Sequence, residues 1–162
     1  VSQDRGGDTS ICAAGRRDDG LLHVETVVSK PGTSWVVSEM PDLLRRAGCG
    51  SVRIDQTSKS NSLIGQLAEA GVTVDLVSMN DHAKATGMFI EAVADGRLRH
   101  LGQQSLRSAI SAAKLRVSGD AELWGRRQSK VNISPLVAAT IALGGVPESV
   151  EAAKQPLYFD VS

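Results

Sequence analysis

The order of strand and helix patterns constrains the fold more than any other feature of this sequence. Residues 9–28 carry two stretches typical of strands, joined at Asp19-Gly20, a dipeptide that favours a tight hairpin turn. Helix and strand patterns then alternate over 32–50, 51–55, 60–71, 72–77 and 80–96. Parallel strands need a long crossover, usually a helix, whereas a short turn joins antiparallel ones. The sequence therefore predicts an α/β domain with a mixed β-sheet, antiparallel at the N-terminal hairpin and parallel through the alternating part, flanked by helices.

The second half of the chain continues with helices and a basic ribbon. Residues 104–117 have the spacing of a helix, and 121–131 are typical of a strand or ribbon with a basic tip. The apolar segment 134–145 is a strong helix prediction, with proline at its first turn and glycine at its end. We predict one domain over 1–145 and a C-terminal tail over 146–162.

The composition is that of an ordinary globular domain. The chain has 162 residues, 41% hydrophobic and 22% charged, but only 3% aromatic, so aliphatic side chains must fill the core. It has no apolar run long enough to span a membrane and no signal peptide, and Cys12 and Cys49 show no spacing motif. We therefore expect a reduced, cytoplasmic setting and no membrane partner. The start at Val1 rather than Met favours a fragment of a longer polypeptide.

Positive charge is concentrated in residues 97–130 of a chain whose formal net charge is +0. The basic side chains there are Arg97, Arg99, Arg107, Lys114, Arg116, Arg126, Arg127 and Lys130, against Asp120 and Glu122. A basic segment on a neutral domain predicts a localised contact with a polyanion. A solvated helix face followed by a loop is the alternative interpretation of the same charges.

The absence of several sequence motifs argues against several common kinds of active site. The sequence has no P-loop, no G-x-G-x-x-G after a strand, no G-x-S-x-G and no Cys/His set with zinc spacing. Acids at strand ends remain. Asp55 ends the strand SVRID, where an open α/β sheet places its ligand crevice, and a carboxylate there suits a hard cation. The alternative is a turn-starting aspartate. Asp4 and Asp8, in the turn-rich stretch SQDRGGD, are more often solvated turn residues.

Several longer stretches carry a family resemblance. They are VSQDRGGDTSICAAGR with GLLHVETVV, SVRID, ADGRLRHLGQQSLRSAISAAKLR, and WGRRQSKVNISPLVAATIAL. Together they resemble the nuclease domain of a tailed-phage terminase large subunit, of the actinobacteriophage or prophage type, over residues 1 to about 145. The stretches DGRLRH and ISPLVAAT are the most specific. The resemblance implies a ribonuclease-H-like fold and an endonuclease that cuts concatemeric duplex DNA during packaging.

The resemblance also implies a metal site. Members of this family hold two divalent ions, Mg²⁺ or Mn²⁺, on three acids, and two such ions can clamp the attacking and leaving oxygens of a phosphodiester. The second acid corresponds to Asp55. The third stands two residues ahead of SPLVAAT, where this chain has Asn132, and the first would fall immediately before Val1, outside the sequence. Asp4, close to that missing position, is a weaker stand-in. Because an amide brings no charge, we expect metal binding to fail or to be weak.

The same resemblance implies partners. Duplex DNA phosphates would lie against Arg97, Arg99, Arg126, Arg127 and Lys130. An ATPase domain, a terminase small subunit and a portal are implied in a bacterial host cytoplasm.

Three functional hypotheses follow. The first is this metal-dependent nuclease, and the second is a catalytically inactive prophage remnant that acts as a DNA-binding or docking module, with Asn132 only stabilising a turn. The third is a small α/β enzyme for a soluble metabolite, for which the sequence offers neither nucleophile nor cofactor motif.

Overall fold

The computed structural model describes residues 2–3, 7–56, 59–119, 121–148 and 159–161. The strands are β1 Ser2–Gln3, β2 Asp8–Arg16, β3 Leu22–Pro31, β4 Ser51–Asp55, β5 Thr73–Val77, β6 Leu98–His100, β7 Leu115–Ser118, β8 Ala121–Trp124 and β9 Phe159–Val161. The helices are α1 Ser34–Ala47, α2 Ile64–Glu69, α3 Met79–Ala94, α4 Gln104–Ala112 and α5 Ser134–Leu143, with a 3-10 helix at Lys59–Leu63.

The predicted N-terminal hairpin is confirmed. β2 and β3 pair antiparallel from Arg16–Leu22 outward, with one irregularity in register beside Ile11. The turn is closed by the Arg17 N–H, which donates to the Leu21 carbonyl at 2.8 Å. Gly20 has a φ of 81°, a conformation that glycine adopts without the steric cost of a side chain. The Asp-Gly dipeptide therefore fixes the register of the longest strand pair.

The sheet is mixed, as predicted. Its strand order is β5-β4-β9-β2-β3-β6, with β1 also paired to β2, and β7 and β8 form a separate two-stranded ribbon. β4 pairs parallel with β5, and β3 pairs parallel with β6. β9 is parallel to β4 and antiparallel to β2, so it joins the two halves of the sheet. Three residues of the predicted tail thus occupy a central position in the sheet.

β9 and β1 lie end to end along one edge of β2. From one end of that line to the other, the pairs are Phe159–Ala13, Asp160–Cys12, Val161–Ile11, Ser2–Ser10 and Gln3–Thr9. Because the register runs without a gap, the backbones from the two ends of the sequence act as one composite strand. Counting two positions back from Ser2 along this line leads to the position that pairs with Cys12. Asp160 occupies that position.

Two hydrophobic clusters cover the two faces of the sheet. Ile11 packs with Val36, Met40 and other side chains of α1 and β4, whereas its neighbour Cys12 packs with α3, α4 and α5. Adjacent strand residues point to opposite faces, so α1 covers one face and α3, α4 and α5 the other. The result is a three-layer arrangement of helices, sheet and helices.

Helix α5 is buried along its entire length. Every residue of Ser134–Leu143 is buried, which suits a segment that is apolar on all sides except for small hydroxyls. Those hydroxyls have partners, since Ser134 Oγ lies 2.7 Å from Ser10 Oγ and Thr140 Oγ1 accepts from Trp124 Nε1 at 2.8 Å. In the part of the chain that the structure describes, no helix has the length and apolarity needed to cross a bilayer.

The helix predicted over 104–117 is wrong at its C-terminal end. α4 stops at Ala112, Ala113 takes extended backbone angles, and Leu115–Ser118 form β7. β7 pairs with β8 along its whole length, and these tertiary hydrogen bonds outweigh the helical spacing of the sequence. The basic ribbon is therefore a hairpin of β7 and β8 followed by a turn.

Candidate functional site

Asp55 is the chemically most unusual side chain in the described structure. It ends β4 at the carboxyl edge of the parallel strands, beside Val77 at the end of β5. Asp55 is only 1% exposed. A buried carboxylate is costly unless other groups compensate its charge, so its surroundings show what the site is built for.

Two cationic or potentially cationic groups approach the same carboxylate oxygen. His82 Nδ1 lies 3.3 Å and Arg126 Nη2 lies 3.6 Å from Asp55 Oδ2. His82 reaches it because α3 begins two residues after Val77, with Ser78 as its N-cap, so the first turn of the helix stands over the end of β4. Arg126 comes from the turn that follows β8.

These groups lie in a cleft of about 410 Å³. Its lining comprises Asp55, His82, Arg116, Leu123, Trp124, Arg126, Arg127 and Gln128. One wall is held in place by Trp124, whose ring meets Phe89 edge-on at 6.1 Å and whose N–H bonds to Thr140. With three arginines around one buried acid, the cleft is suited to an anion that approaches a carboxylate-bound cation.

Asn132 is engaged on both sides of its amide. Its Nδ2 donates to Asp8 Oδ2 at 3.1 Å, and its Oδ1 accepts from the Ser134 N–H at 2.8 Å. The second bond is an Asx turn that leads the chain into α5. Asn132 therefore performs the turn role considered from the sequence, and it also joins the loop before α5 to the start of β2.

Asp55 and the Asp8–Asn132 pair share one face and one end of the sheet. Arg53 donates to the Ile141 carbonyl of α5, so Asp55, two residues on, also lies on the α5 face. On β2, Cys12 contacts the Pro135 carbonyl on that same face, and Arg53 and Cys12 both pair with residue 160 of β9. Two strand spacings, roughly 10 Å, therefore separate β4 from β2 at this end.

The donors fit a divalent metal in part. Carboxylate oxygens are the ligands that Mg²⁺ and Mn²⁺ prefer, and Asp55 supplies them at the sheet edge. Asn132 fits less well than an acid, because its amide oxygen carries no charge and already accepts one hydrogen bond from the Ser134 N–H. Among the residues that the structure describes, no group of three or more acids, histidines and cysteines is placed to hold a metal ion.

The predicted phosphate-binding residues fall into two separate places. Arg126 and Arg127 line the cleft, and Lys130 is exposed in the loop that leads to Asn132. Arg97 and Arg99 lie at β6, on the opposite edge of the sheet, four strand spacings or roughly 19 Å from β4.

Both distant arginines are already engaged locally. Arg97 Nη2 lies 2.8 Å from Asp95 Oδ2, and Arg99 Nη1 donates to the Gly96 carbonyl at 2.7 Å. At this distance from the cleft, Arg97 and Arg99 cannot bind the same DNA phosphate as the cleft arginines.

His82 and Arg116 line the cleft but were not predicted as site residues from the sequence. His82 gave a weak signal, since it stands in the first turn of a helix that follows a parallel strand. Arg116 was counted within a predicted helix, and only the β7–β8 pairing turns it into a ribbon residue. Asp4, the weaker candidate, lies outside the described residues.

Three solved structures share this fold. The HK97 bacteriophage large terminase superposes with a TM-score of 0.70 and 17% identity, over 86% of this chain and 37% of that one. The large terminase nuclease from thermophilic phage G20c has a TM-score of 0.59 and 10% identity, over 91% and 87% of the two chains. The G20c nuclease with bound cobalt has a TM-score of 0.58 and 10% identity, over 91% and 86%. No protein-family model and no curated protein sequence matches.

The domain therefore has the mixed α/β fold of phage large-terminase nucleases, and the resemblance predicted from the sequence is confirmed at the level of the fold. The chain spans 37% of the length of the HK97 large terminase and most of the length of the G20c nuclease.

Proposed function

We propose that this chain is the ribonuclease-H-like nuclease domain of a phage terminase large subunit, a metal-dependent endonuclease that cuts concatemeric duplex DNA. The observation that carries the proposal is Asp55, a buried carboxylate at the carboxyl end of a parallel strand, set in a cleft with three arginines. The fold shared with the two phage proteins, one of them solved with cobalt, supports the same conclusion.

We further propose that Asp160 supplies the first acid of the site. The resemblance puts that acid directly before the residues VS at the start of the chain. The composite strand places Asp160 at that step of the register, opposite Cys12 and beside Arg53. The acid expected to lie outside the sequence would then come from the other end of the chain.

The roles of the chain's own residues follow from the geometry. Asp55 would hold a divalent cation, Mg²⁺ or Mn²⁺, which when bound stabilises negative charge on the phosphodiester oxygens during attack by water. His82 orients the Asp55 carboxylate through Nδ1. Arg116 and Arg127 bind DNA phosphates at the cleft without reading sequence. Because the Asn132 amide brings no negative charge, metal binding in this chain is weaker than with a third acid.

The engagement of Asn132 favours a second candidate, a DNA-binding module whose nuclease is inactive. Partners remain proposals in either case: an ATPase domain, a small subunit and a portal, in the cytoplasm of a bacterial host.

Plasmid nicking with Mn²⁺ tests the first candidate. The parent chain is compared with Asn132→Asp, and that variant is then combined with Asp55→Asn or Asp160→Asn. We expect Asn132→Asp to nick faster than the parent, and either added change to abolish the gain. Asp75→Asn, which alters a β5 acid bonded to Ser51 away from the strand end, is the matched control.

The outcomes separate the hypotheses. Nicking that survives Asp55→Asn contradicts the proposed site, and loss with Asp55→Asn but not with Asp160→Asn removes only the assignment of Asp160. DNA binding without nicking in every variant supports the inactive module.

A further inference from the structure

Arg126 stands where it can compete with a cation for Asp55. Both need the same carboxylate, and Arg126 Nη2 lies 3.6 Å from Asp55 Oδ2. We propose that Arg126 is the counter-ion of Asp55 while the metal is absent, and that a DNA phosphate draws Arg126 away, so that DNA binding and metal binding favour each other. The inference rests on the metal site of the proposed function.

The two groups beside Asp55 differ in their freedom to move. His82 sits on α3, and its side chain is 7% exposed. Arg126 comes from the turn after β8, and its side chain is 24% exposed at the cleft. A long side chain on a turn can reorient, whereas a ring on a packed helix stays in place. Arg126 is therefore the partner that a ligand can remove from Asp55.

Asp55 and a DNA phosphate compete for the Arg126 guanidinium. Its Nη2 lies within ion-pair distance of Asp55 Oδ2, at 3.6 Å. A phosphate offers the planar guanidinium fork two oxygens at once. Arg116 and Arg127 line the same cleft, and their charges attract a phosphate to the place where Arg126 can reach it.

His82 gives an independent sign that the cleft receives a ligand. Its Nε2 is buried and has no hydrogen-bond partner within the described residues, although its Nδ1 faces Asp55. Buried polar atoms are rarely left without a partner. A water molecule bound with the phosphate in the cleft would supply one by donating to Nε2, while His82 keeps the carboxylate oriented after Arg126 has left.

Charge makes the coupling reciprocal. A divalent cation at Asp55 repels a guanidinium held on the same oxygen, so each lowers the affinity of the site for the other. A phosphate that neutralises Arg126 removes this penalty. By thermodynamic linkage, the factor by which DNA tightens metal binding equals the factor by which metal tightens DNA binding.

Mn²⁺ binding, followed by the electron paramagnetic resonance signal of free Mn²⁺, tests the proposal with and without a short DNA duplex. We expect the duplex to tighten Mn²⁺ binding to the parent chain by about tenfold, within the usual range of coupling between sites. Arg126→Gln should bind Mn²⁺ more tightly than the parent without DNA and respond little to the duplex. Arg127→Gln, which alters the neighbouring arginine of the cleft, should need more DNA but keep the response.

Fluorescence anisotropy of a labelled duplex gives the reciprocal measurement on the unaltered chain, where Mn²⁺ should tighten DNA binding by the same factor. If melting curves show that Arg126→Gln does not fold, Arg126→Lys replaces it. The lysine keeps the charge but lacks the fork, so we expect it to respond less to the duplex than the parent.

Two results would overturn the inference. One is Mn²⁺ binding that depends on Asp55 yet is unchanged by the duplex. The other is an undiminished response to DNA in Arg126→Gln. Either leaves the proposed nuclease site standing, whereas failure of every variant to bind Mn²⁺ removes the metal site and the inference together.

Discussion

Changing Asn132 to aspartate should make the stability of the domain depend on divalent metal. In the parent, the Asn132 amide donates to Asp8 Oδ2 at 3.1 Å. The substitution replaces that donor with a negatively charged oxygen facing another carboxylate, while the acceptor for the Ser134 N–H is kept. The local turn should survive, and the contact with Asp8 should become repulsive.

The size of the effect follows from the distance. Two unit charges 3.1 Å apart repel by about 1 kcal/mol in water and by about 5 kcal/mol at the effective dielectric constant of a protein surface. Both residues are half-buried, and a lost hydrogen bond adds about 1 kcal/mol, so we expect a loss of roughly 2–6 kcal/mol. For a domain of this size that corresponds to a fall in Tm of roughly 5–20 °C in EDTA.

Thermal melts in EDTA and in Mn²⁺ measure both halves of the prediction. A cation between the two carboxylates turns repulsion into attraction, and at a hundredfold excess over its Kd it returns about 2.7 kcal/mol. Mn²⁺ should therefore raise the Tm of Asn132→Asp much more than that of the parent. Asn132→Ala, which loses the bond without adding charge, should fall by less and should respond to metal no more than the parent does.

A double variant completes the design, because Asp8→Asn combined with Asn132→Asp restores one donor facing one carboxylate, and its Tm should return towards the parent value. The reasoning is refuted if Asn132→Asp melts with the parent in EDTA, or if Mn²⁺ shifts both by the same amount.

Three smaller predictions concern the scaffold. Ser78→Ala should lower stability by about 1 kcal/mol by removing the N-cap of α3. The Ser78 hydroxyl also holds the pKa of Asp81 below its usual value, so Asp81 contributes stability above its unfolded pKa that is lost as pH falls through the folded pKa; that loss in acid should be smaller in Ser78→Ala melts. Ile141→Ala should cost about 2–5 kcal/mol in urea unfolding, because Ile141 is fully buried in α5; an unchanged midpoint would mean that α5 is not packed as described. Gly48→Ala should cost about 1 kcal/mol, because φ there is 67°, whereas Gly50→Ala, without a positive φ, should be neutral.

Local sequence was enough to predict three parts of the scaffold. The Asp19-Gly20 turn determines how β2 and β3 meet, because a two-residue preference for a tight turn is a local property. The apolar segment of α5 predicts a buried helix, since no face of it is suited to water. Asp55 could be placed at a strand end because the short strand pattern of β4 ends there and helical patterns lie on both sides of it.

Tertiary structure decided what surrounds those residues. Asn132 and Asp8 are 124 positions apart in the chain, and no local pattern signals that they form a hydrogen bond. His82 and Arg126 meet Asp55 only because α3 stands over the end of β4 and the turn after β8 closes the cleft. The β7–β8 pairing overrode a helical spacing, since hydrogen bonds to a partner strand outweigh a weak propensity.

The central strand shows the difference most clearly. The sequence predicted only a tail over 146–162, and nothing local determined that β9 would enter the sheet between β4 and β2. Strand pairing depends on which edges the rest of the fold leaves open, and that is a property of the assembled sheet. The sequence by itself therefore determined the N-terminal hairpin, the buried helix α5 and the acid at the end of β4, and the tertiary structure decided which charges face that acid.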